Sequence, residues 1–162
     1  MLTQNAPKAD YQKLTTDIEE SQYEMLKKLE LPENWYPLIY KSCKDNNLKL
    51  ISTPYTFEDA LLLIKYKFDY VKLVSISAVE FPFIYQISEL KIPTIISTGL
   101  CDLSEIDKLY HFSKSLFTDF SLLNCTTSYP TPIEESNLDV LNICKINMIA
   151  KLVSQIILKI LE

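Results

Sequence analysis

Short apolar runs alternate with longer amphipathic stretches over most of the chain. The short runs predict four β-strands, at residues 48–52, 70–74, 94–97 and 120–124. Apolar positions at helical spacing predict three intervening helices, at residues 57–66, 79–90 and 103–116. The last of these helices has Asp102 or Ser104 available as its N-cap. Strand–helix units repeated in this way predict a parallel sheet with right-handed crossovers, in either a barrel fragment or an open sheet.

The two ends of the chain follow other patterns. Residues 1–18 are polar without a sustained period and indicate a loop or an extended lead-in. Helices are predicted over residues 19–29 and 32–46. After the fourth strand, a helix with a break near Ile146 is predicted over about residues 137–161. Because its apolar stripe must be buried, we expect this tail to cover exposed surface of the sheet or to mediate self-association.

Composition narrows the class of protein. Hydrophobic residues make up 48% of the 162 residues and charged residues 23%, which is typical of one globular domain. The net charge is −5, and Lys and Arg are not concentrated in any segment, so we expect neither nucleic acid nor a membrane as a partner. An anionic small ligand is compatible with this charge, because one or two well-placed lysines can bind it locally.

A few residue types say more about compartment and chemistry. Residues 1–10 are polar and no apolar run is as long as a membrane span, so we expect a cytoplasmic protein. The four cysteines lie far apart and are expected to be reduced and mostly buried: Cys43, Cys101, Cys125 and Cys144. A single histidine, His111, argues against a self-contained zinc site. With only one glycine, Gly99, the chain has no glycine-rich phosphate loop.

Hydroxyl groups and one lysine stand at the C-terminal ends of the predicted strands. They are Thr53, Lys72 with Ser75, Ser97 with Thr98, and then Thr126, Thr127 and Tyr129. The C-terminal ends of parallel strands meet at one edge, where donors of this kind suit a phosphate or a carboxylate. Two structural alternatives stand beside this hypothesis: Lys72 is a snorkelling or rim lysine, and the hydroxyls are helix caps.

Several segments, in order and at consistent spacing, resemble one known family. They are residues 50–55 (LISTPY), 71–75 (VKLVS), 95–100 (IISTGL), 123–126 (LNCT) and 129–132 (YPTP), with residues 5–9 (NAPKA) and 20–24 (ESQYE) before them. Together they resemble the N-terminal barrel domain of sialic acid synthases and of their legionaminic and pseudaminic acid synthase relatives. The resemblance implies an α/β fold, a partial TIM (β/α) barrel of about four parallel strands alternating with helices. It covers residues 1–147, and residues 148–162 are expected to be a helical tail outside the family pattern.

The resemblance also implies a reaction. Enzymes of this family are transferases that condense phosphoenolpyruvate with the aldehyde of an N-acetylated hexosamine such as N-acetylmannosamine, and they use a divalent metal, manganese or magnesium. Carried over by position, the phosphoenolpyruvate-binding residues are Thr53, Lys72, Ser75 and Ser97. Tyr129 and Thr127 are assigned to the sugar side. No catalytic residue and no metal ligand is assigned in this chain.

The chain departs from the family at several positions. The family usually has Ser-Gly-Glu after the lysine strand, whereas this chain has Ser75-Ile76-Ser77. Asn124 stands where the family often has histidine. The family's first two strands and its downstream metal-binding histidines have no counterpart here.

Two functions therefore remain open. The chain is either part of a nonulosonic acid synthase or a non-catalytic remnant, a small-ligand or partner-binding module of the same fold. A homo-oligomer or a partner chain would supply the rest of the barrel. By itself the chain is expected to be inactive.

Overall fold

The computed structural model describes residues 3–8, 10–13, 19–127, 131–140 and 152–154. The chain forms two compact units, Met1–Ile39 and Tyr40–Glu162. The first contains helices α1 (Asp10–Lys13) and α2 (Gln22–Lys28) and a 3-10 turn at Glu33–Trp35. Helix α3 (Tyr36–Asp45) begins in the first unit and ends in the second.

Local hydrogen bonds and one buried ion pair order the first unit. Ser21 Oγ accepts the Glu24 N–H at 3.2 Å, and the Glu24 carboxylate accepts the Ser21 N–H at 2.9 Å, so a capping box starts α2. The Lys8 ammonium is buried and lies 3.1 Å from a Glu20 carboxylate oxygen. Helix α1 falls within residues 1–18, so the prediction of a loop or extended lead-in is wrong for that turn.

The second unit is built on a parallel sheet of five strands in sequential order. They are β1 (Ile51–Ser52), β2 (Tyr70–Leu73), β3 (Thr94–Ser97), β4 (Phe120–Asn124) and β5 (Leu152–Ser154). The helices between them are α4 (Phe57–Lys65), α5 (Phe81–Glu89) and α6 (Leu103–Leu116). The predicted fold class and the order of the four predicted strands are confirmed. The arrangement is that of a partial TIM barrel.

The two faces of the sheet differ in burial because side chains alternate along a strand. Val71, Leu73 and Ile96 are fully buried on the face that carries the helices. Helices α4 to α6 bury Leu63, Ile84, Ile87 and Leu109 in the same core. Burying each such side chain contributes about 1.5–3 kcal/mol, so this face holds the unit together. On the opposite face Lys72 and Ile95 are only half-buried.

An ion-pair cluster joins the start of β1 to the start of β2. The Asp69 carboxylate accepts the backbone N–H of Leu50 at 2.8 Å and lies 3.0 Å from Lys44 Nζ and 3.4 Å from Lys49 Nζ. The Leu50 N–H, followed by the two ammonium groups, lowers the pKa of Asp69 from its usual 3.8 to about 2. The ionised form of Asp69 therefore stabilises the folded protein.

The tail of the chain departs from the predicted helix. Leu152–Ser154 is a strand, β5, which pairs in parallel with β4 through Leu122↔Leu152 and Asn124↔Ser154. The prediction of a helix is wrong at these three residues. A short apolar run fits either structure by period alone, and the outer edge of β4 offers backbone groups that only a strand satisfies. Residues 141–151 and 155–162 lie outside the described part of the chain.

The helix boundaries show what local signals can achieve. Asp102 is the N-cap of α6, and its side chain accepts the Glu105 N–H at 2.8 Å. Of the two predicted caps, Asp102 and Ser104, the structure thus uses Asp102. The predicted helix over residues 79–90 instead begins with a separate 3-10 turn at Ser75–Val79, followed by α5. Within the described residues, none of the helices is long and apolar enough to cross a membrane.

Candidate functional site

The ends of β2, β3 and β4 are tied together around the Ser75 hydroxyl. Ser75 is the first residue of the turn after β2, and its Oγ accepts the Gly99 N–H at 3.0 Å. The Sγ of Cys125, in the loop after β4, lies 3.4 Å from the same oxygen. Since Gly99 follows β3, the three loops meet at one hydroxyl. Ser75 therefore lies at the C-terminal edge of the sheet, directly after β2.

Gly99 is required at this point by a close approach of two chain segments. A Cβ added to it would lie 2.7 Å from the Cys125 carbonyl oxygen and 3.0 Å from the Cys125 Sγ. The φ angle of Gly99 is not positive, so the absence of a side chain, not backbone freedom, is what the site uses. The single glycine of the chain thus lets the loops after β3 and β4 pack closely.

Two predicted anion-binding residues, Lys72 and Ser97, lie on one face of the sheet, which we call the site face. Lys72 pairs with Ile95 in register, and Ser97 follows Ile95 by two residues. Because side chains alternate along a strand, Lys72 and Ser97 lie on the same face as Ile95. Thr53 comes one residue after the Ser52↔Val71 pair and is therefore level with Lys72. Lys72 and Thr53 are half-buried. The register thus puts Lys72 and Ser97 on one face, while Thr53 directly follows β1 and Ser75 begins the turn after β2.

The Ser97 hydroxyl is buried and makes no hydrogen bond within the part of the chain that the structure describes. Ser97 is only 3% exposed, and within the described residues its Oγ has no hydrogen-bond partner. A buried hydroxyl without a partner costs about 1–3 kcal/mol. A ligand that bonds to this oxygen would offset that cost, so Ser97 is a strong candidate for a binding residue.

Other predicted hydroxyls serve the fold or lie elsewhere. The Thr98 hydroxyl donates to the Leu123 carbonyl at 3.2 Å, and the Thr126 hydroxyl donates to the Glu135 carbonyl at 3.2 Å. Both bonds hold the loops after β3 and β4 in place, so these two hydroxyls serve the fold, although not as the helix caps that the structural alternative named. Thr127 is exposed, and Tyr129 lies outside the described residues. The sugar-side assignment of these two residues stays a prediction.

The family departures have clear structural settings. Ser77, at the position of the family's acid, is 4% exposed within the 3-10 turn. Ile76, at the position of the family's glycine, is 62% exposed. The Asn124 side chain donates to the Ser136 carbonyl at 3.3 Å and so helps to position the loop after β4.

The cysteines are less buried than expected. Cys43, Cys101 and Cys125 are free thiols, and each is half-buried rather than buried, while Cys144 lies outside the described residues. Burial, assisted by the Glu105 and Asp102 carboxylates, raises the pKa of Cys101 to about 11. Cys125 was expected, like the other cysteines, to be buried, and Gly99 was expected only to exclude a glycine-rich phosphate loop. Their contact with Ser75 carried no local signal, because it joins residues 24 and 50 positions apart.

A cavity of about 460 Å³ lies next to this cluster, between the loops after β3 and β4. Its lining includes Gly99 and Cys125 together with the acidic residues Asp102 and Glu135. The two carboxylates make this cavity unfavourable for an anion. An anionic ligand is therefore better accommodated on the site face, where Lys72 provides positive charge.

A metal site cannot be assembled from the residues described. In that part of the chain, no three side chains of His, Cys, Asp or Glu are grouped as a metal ion would require. His111 is on α6, 66% exposed, with its Nε2 3.6 Å from an Asp107 carboxylate oxygen. This donor set does not fit the divalent metal that the family resemblance implies.

Comparison with known proteins identifies close counterparts of these strands and loops. The N,N'-diacetyllegionaminic acid synthase of Campylobacter jejuni is 32% identical over 147 residues, which cover 89% of this chain and 44% of that enzyme. The pseudaminic acid synthase of the same organism is 31% identical over 117 residues, covering 72% of this chain and 34% of that enzyme. The chain therefore spans less than half the length of these curated relatives.

Solved structures share the fold. The N-acetylneuraminic acid synthetase of Leptospira borgpetersenii superimposes with a TM-score of 0.79 at 19% identity, over 91% of this chain and 51% of that one. Protein SpsE of Bacillus subtilis, named for spore coat polysaccharide biosynthesis, superimposes with a TM-score of 0.75 at 20% identity, over 93% of this chain and 42% of that one. A model of the NeuB family matches residues 1–150, which confirms the resemblance found in the sequence motifs. The chain belongs to the NeuB family.

Proposed function

We propose that this chain supplies the phosphoenolpyruvate-binding part of a nonulosonic acid synthase, a transferase of carbohydrate biosynthesis. The enzyme would join phosphoenolpyruvate to the open-chain aldehyde of an N-acetylated hexosamine such as N-acetylmannosamine. Relatives of 32% identity carry the names of such synthases, and this chain covers 44% and 40% of two of them. The activity is therefore proposed for a complete barrel that contains this chain.

The observation that carries the proposal is the buried Ser97 hydroxyl, which lies on the same face as Lys72 and has no hydrogen-bond partner among the described residues. Phosphoenolpyruvate carries a phosphate and a carboxylate, and both accept hydrogen bonds from hydroxyl and ammonium groups. Ser97 has a hydroxyl with no partner among the described residues. Lys72 supplies the opposite charge on that face, and Ser75 and Thr53 add hydroxyls at its edge. In this proposal the four side chains bind and orient one anion, a task that a purely structural role does not require.

The chemistry follows from what these donors do to the anion. Carbon 3 of phosphoenolpyruvate attacks the aldehyde carbon, so a carbon–carbon bond forms and the aldehyde oxygen takes up a proton to become a hydroxyl. Water adds to the cation left at carbon 2, and inorganic phosphate leaves. Lys72 and the hydroxyls hold the phosphate and the carboxylate, and Lys72 offsets the negative charge that grows on the departing phosphate.

The proposal also covers the sugar-binding residues, the compartment and the metal of the enzyme. Thr127 and Tyr129 contact the sugar, and the enzyme works in the cytoplasm with manganese or magnesium. Because the described residues do not form a metal site, the ligands come from the rest of the barrel. The rest of the barrel lies in the same polypeptide or in a partner chain.

The first test is binding of phosphoenolpyruvate to the purified 162-residue chain by isothermal titration calorimetry. We expect binding by the unaltered chain and its loss in Lys72→Ala, because the Lys72 ammonium supplies positive charge to the site face. Lys108→Ala is the matched control. Lys108 is exposed on α6, so its replacement by alanine removes the same charge from another surface. Equal affinity of the Lys72→Ala and Lys108→Ala variants would contradict the proposed site.

The competing function is a module that has kept the fold without the chemistry. Binding of phosphoenolpyruvate that Lys72→Ala abolishes favours the synthase. A complete absence of phosphoenolpyruvate binding, in a chain shown to be folded by circular dichroism, favours the non-catalytic module.

A further inference from the structure

We infer that Cys125 is a positioning residue, whose thiol directs the proton of the Ser75 hydroxyl toward the bound anion. The inference rests on the proposed function, because it concerns how one donor of that site is held. It adds a residue that the family resemblance does not assign and that touches no ligand itself.

The Ser75 oxygen has two contacts that restrict its own proton. A hydroxyl has one hydrogen to donate and two lone pairs to accept with. The Gly99 backbone N–H, 3.0 Å away, can only donate, so it occupies one lone pair. The Cys125 sulfur, 3.4 Å away, can act either as a donor through S–H or as an acceptor of the Ser75 proton.

A bound anion decides between these two arrangements. If Ser75 donated its proton to the Cys125 sulfur, it would have no proton left for the anion. The sulfur is a weak acceptor, so this arrangement would give up a stronger hydrogen bond to the charged anion. If Cys125 donates its S–H to the second lone pair, the Ser75 proton is left for the anion. The second arrangement makes three hydrogen bonds, two of them into the Ser75 oxygen. Cys125 therefore converts a rotating hydroxyl into a fixed donor.

The packing of the loops holds the sulfur where this requires it. The Gly99 Cα faces the Cys125 carbonyl so closely that even a Cβ would lie 2.7 Å from that oxygen. Cys125, which follows β4, is therefore held against Gly99, which follows β3. Shifting the backbone to bring another group to Ser75 would break this contact, so loss of the thiol is not compensated locally.

The test measures phosphoenolpyruvate affinity by calorimetry on the full chain and on variants at position 125. Cys125→Ala removes the donor and should weaken binding about three- to tenfold, the range of one hydrogen bond. Cys125→Ser keeps a donor at the same place and should stay within about twofold of the unaltered chain. Cys43→Ala removes a half-buried cysteine elsewhere and should have no effect. Thermal midpoints are recorded for every variant.

A double-mutant cycle separates positioning from a structural role. If Cys125 acts through Ser75, then Cys125→Ala should cause no further loss of affinity in a Ser75→Ala background. If Cys125→Ala does not fold, Cys125→Val takes its place in the cycle, because it fills the space without donating a hydrogen bond.

Each outcome has a defined meaning. Unchanged affinity in Cys125→Ala, equal weakening in Cys125→Ser, or an additive loss in the cycle overturns the inference. A folded, unaltered chain that does not bind phosphoenolpyruvate overturns the proposed function, and the inference with it. Binding by the unaltered chain therefore makes the two failures distinguishable.

Discussion

The Cα of Gly99 faces the backbone of Cys125 so closely that a Cβ would lie 2.7 Å from the Cys125 carbonyl oxygen. This contact joins the loops after β3 and β4, and the same two residues contact the Ser75 hydroxyl after β2. The geometry of three adjacent strand ends thus depends on one missing side chain.

Gly99→Ala should destabilise the protein by about 1–3 kcal/mol, because the new Cβ overlaps the Cys125 backbone, which cannot move like the end of a flexible side chain. Urea unfolding followed by circular dichroism measures the free energy of unfolding. Leu100→Ala is the control, since the neighbouring side chain is 60% exposed and its loss should cost little. An unfolding free energy for Gly99→Ala equal to that of Leu100→Ala would show that the loops separate easily.

Asp69 should make stability depend on pH at the acid end. Its carboxyl titrates at about 2 in the folded protein and at 3.8 ordinarily, so the folded state favours the ionised form. This stabilisation is complete above about pH 4 and is lost as the pH falls through the folded pKa of about 2. Asp69→Asn should lower the free energy of unfolding at pH 7 by about 1–2 kcal/mol and flatten its fall between pH 4 and 2.

The matched control for Asp69 is Asp45→Asn. Asp45 is exposed and pairs with Lys41 at 2.5 Å in an i,i+4 arrangement, which contributes little in water. Denaturant unfolding at a series of pH values compares the two variants. If both change stability equally at pH 7, the Leu50 N–H and the two lysines do not favour the Asp69 carboxylate as the structure indicates.

The contribution of the α6 N-cap, Asp102, to the stability of the protein should be measurable. The Asp102 side chain accepts the Glu105 N–H at 2.8 Å, and the Glu105 carboxylate accepts the Asp102 N–H at 2.9 Å. Asp102→Ala removes one half of this capping box and should cost about 1 kcal/mol of stability. Asp102→Ser retains a capping oxygen and should recover most of it. Equal thermal unfolding midpoints for Asp102→Ala and Asp102→Ser would contradict a capping role.

The 162-residue polypeptide by itself should not synthesise a nonulosonic acid. It covers 44% of the length of its legionaminic acid synthase relative, and its described residues hold no grouped metal ligands. Substrate orientation requires all parts of a site together, so isolated anion donors do not give turnover. The assay combines the chain, phosphoenolpyruvate, N-acetylmannosamine and manganese, and measures phosphate release and sugar acid product. Turnover above that of Lys72→Ala would contradict this expectation.

Much of the fold follows from local sequence patterns. The apolar period and the Asp102 cap predicted α6 over residues 103–116, and the structure has Leu103–Leu116. The strands at Thr94–Ser97 and Phe120–Asn124 also match their predicted bounds, because buried parallel strands are short continuous apolar runs. The motifs around Lys72, Ser75 and Ser97 pointed to the family, which the family match confirms.

The sequence by itself thus determined the alternation of strands and helices and the family, since both depend on residues close together in the chain. Only the tertiary structure decided which groups meet. It turned Leu152–Ser154 into a strand, because the edge of β4 offered hydrogen bonds that periodicity does not register. It also brought Cys125 to Ser75 across 50 residues and left Ser97 without a partner among the described residues, because long-range packing sets such contacts.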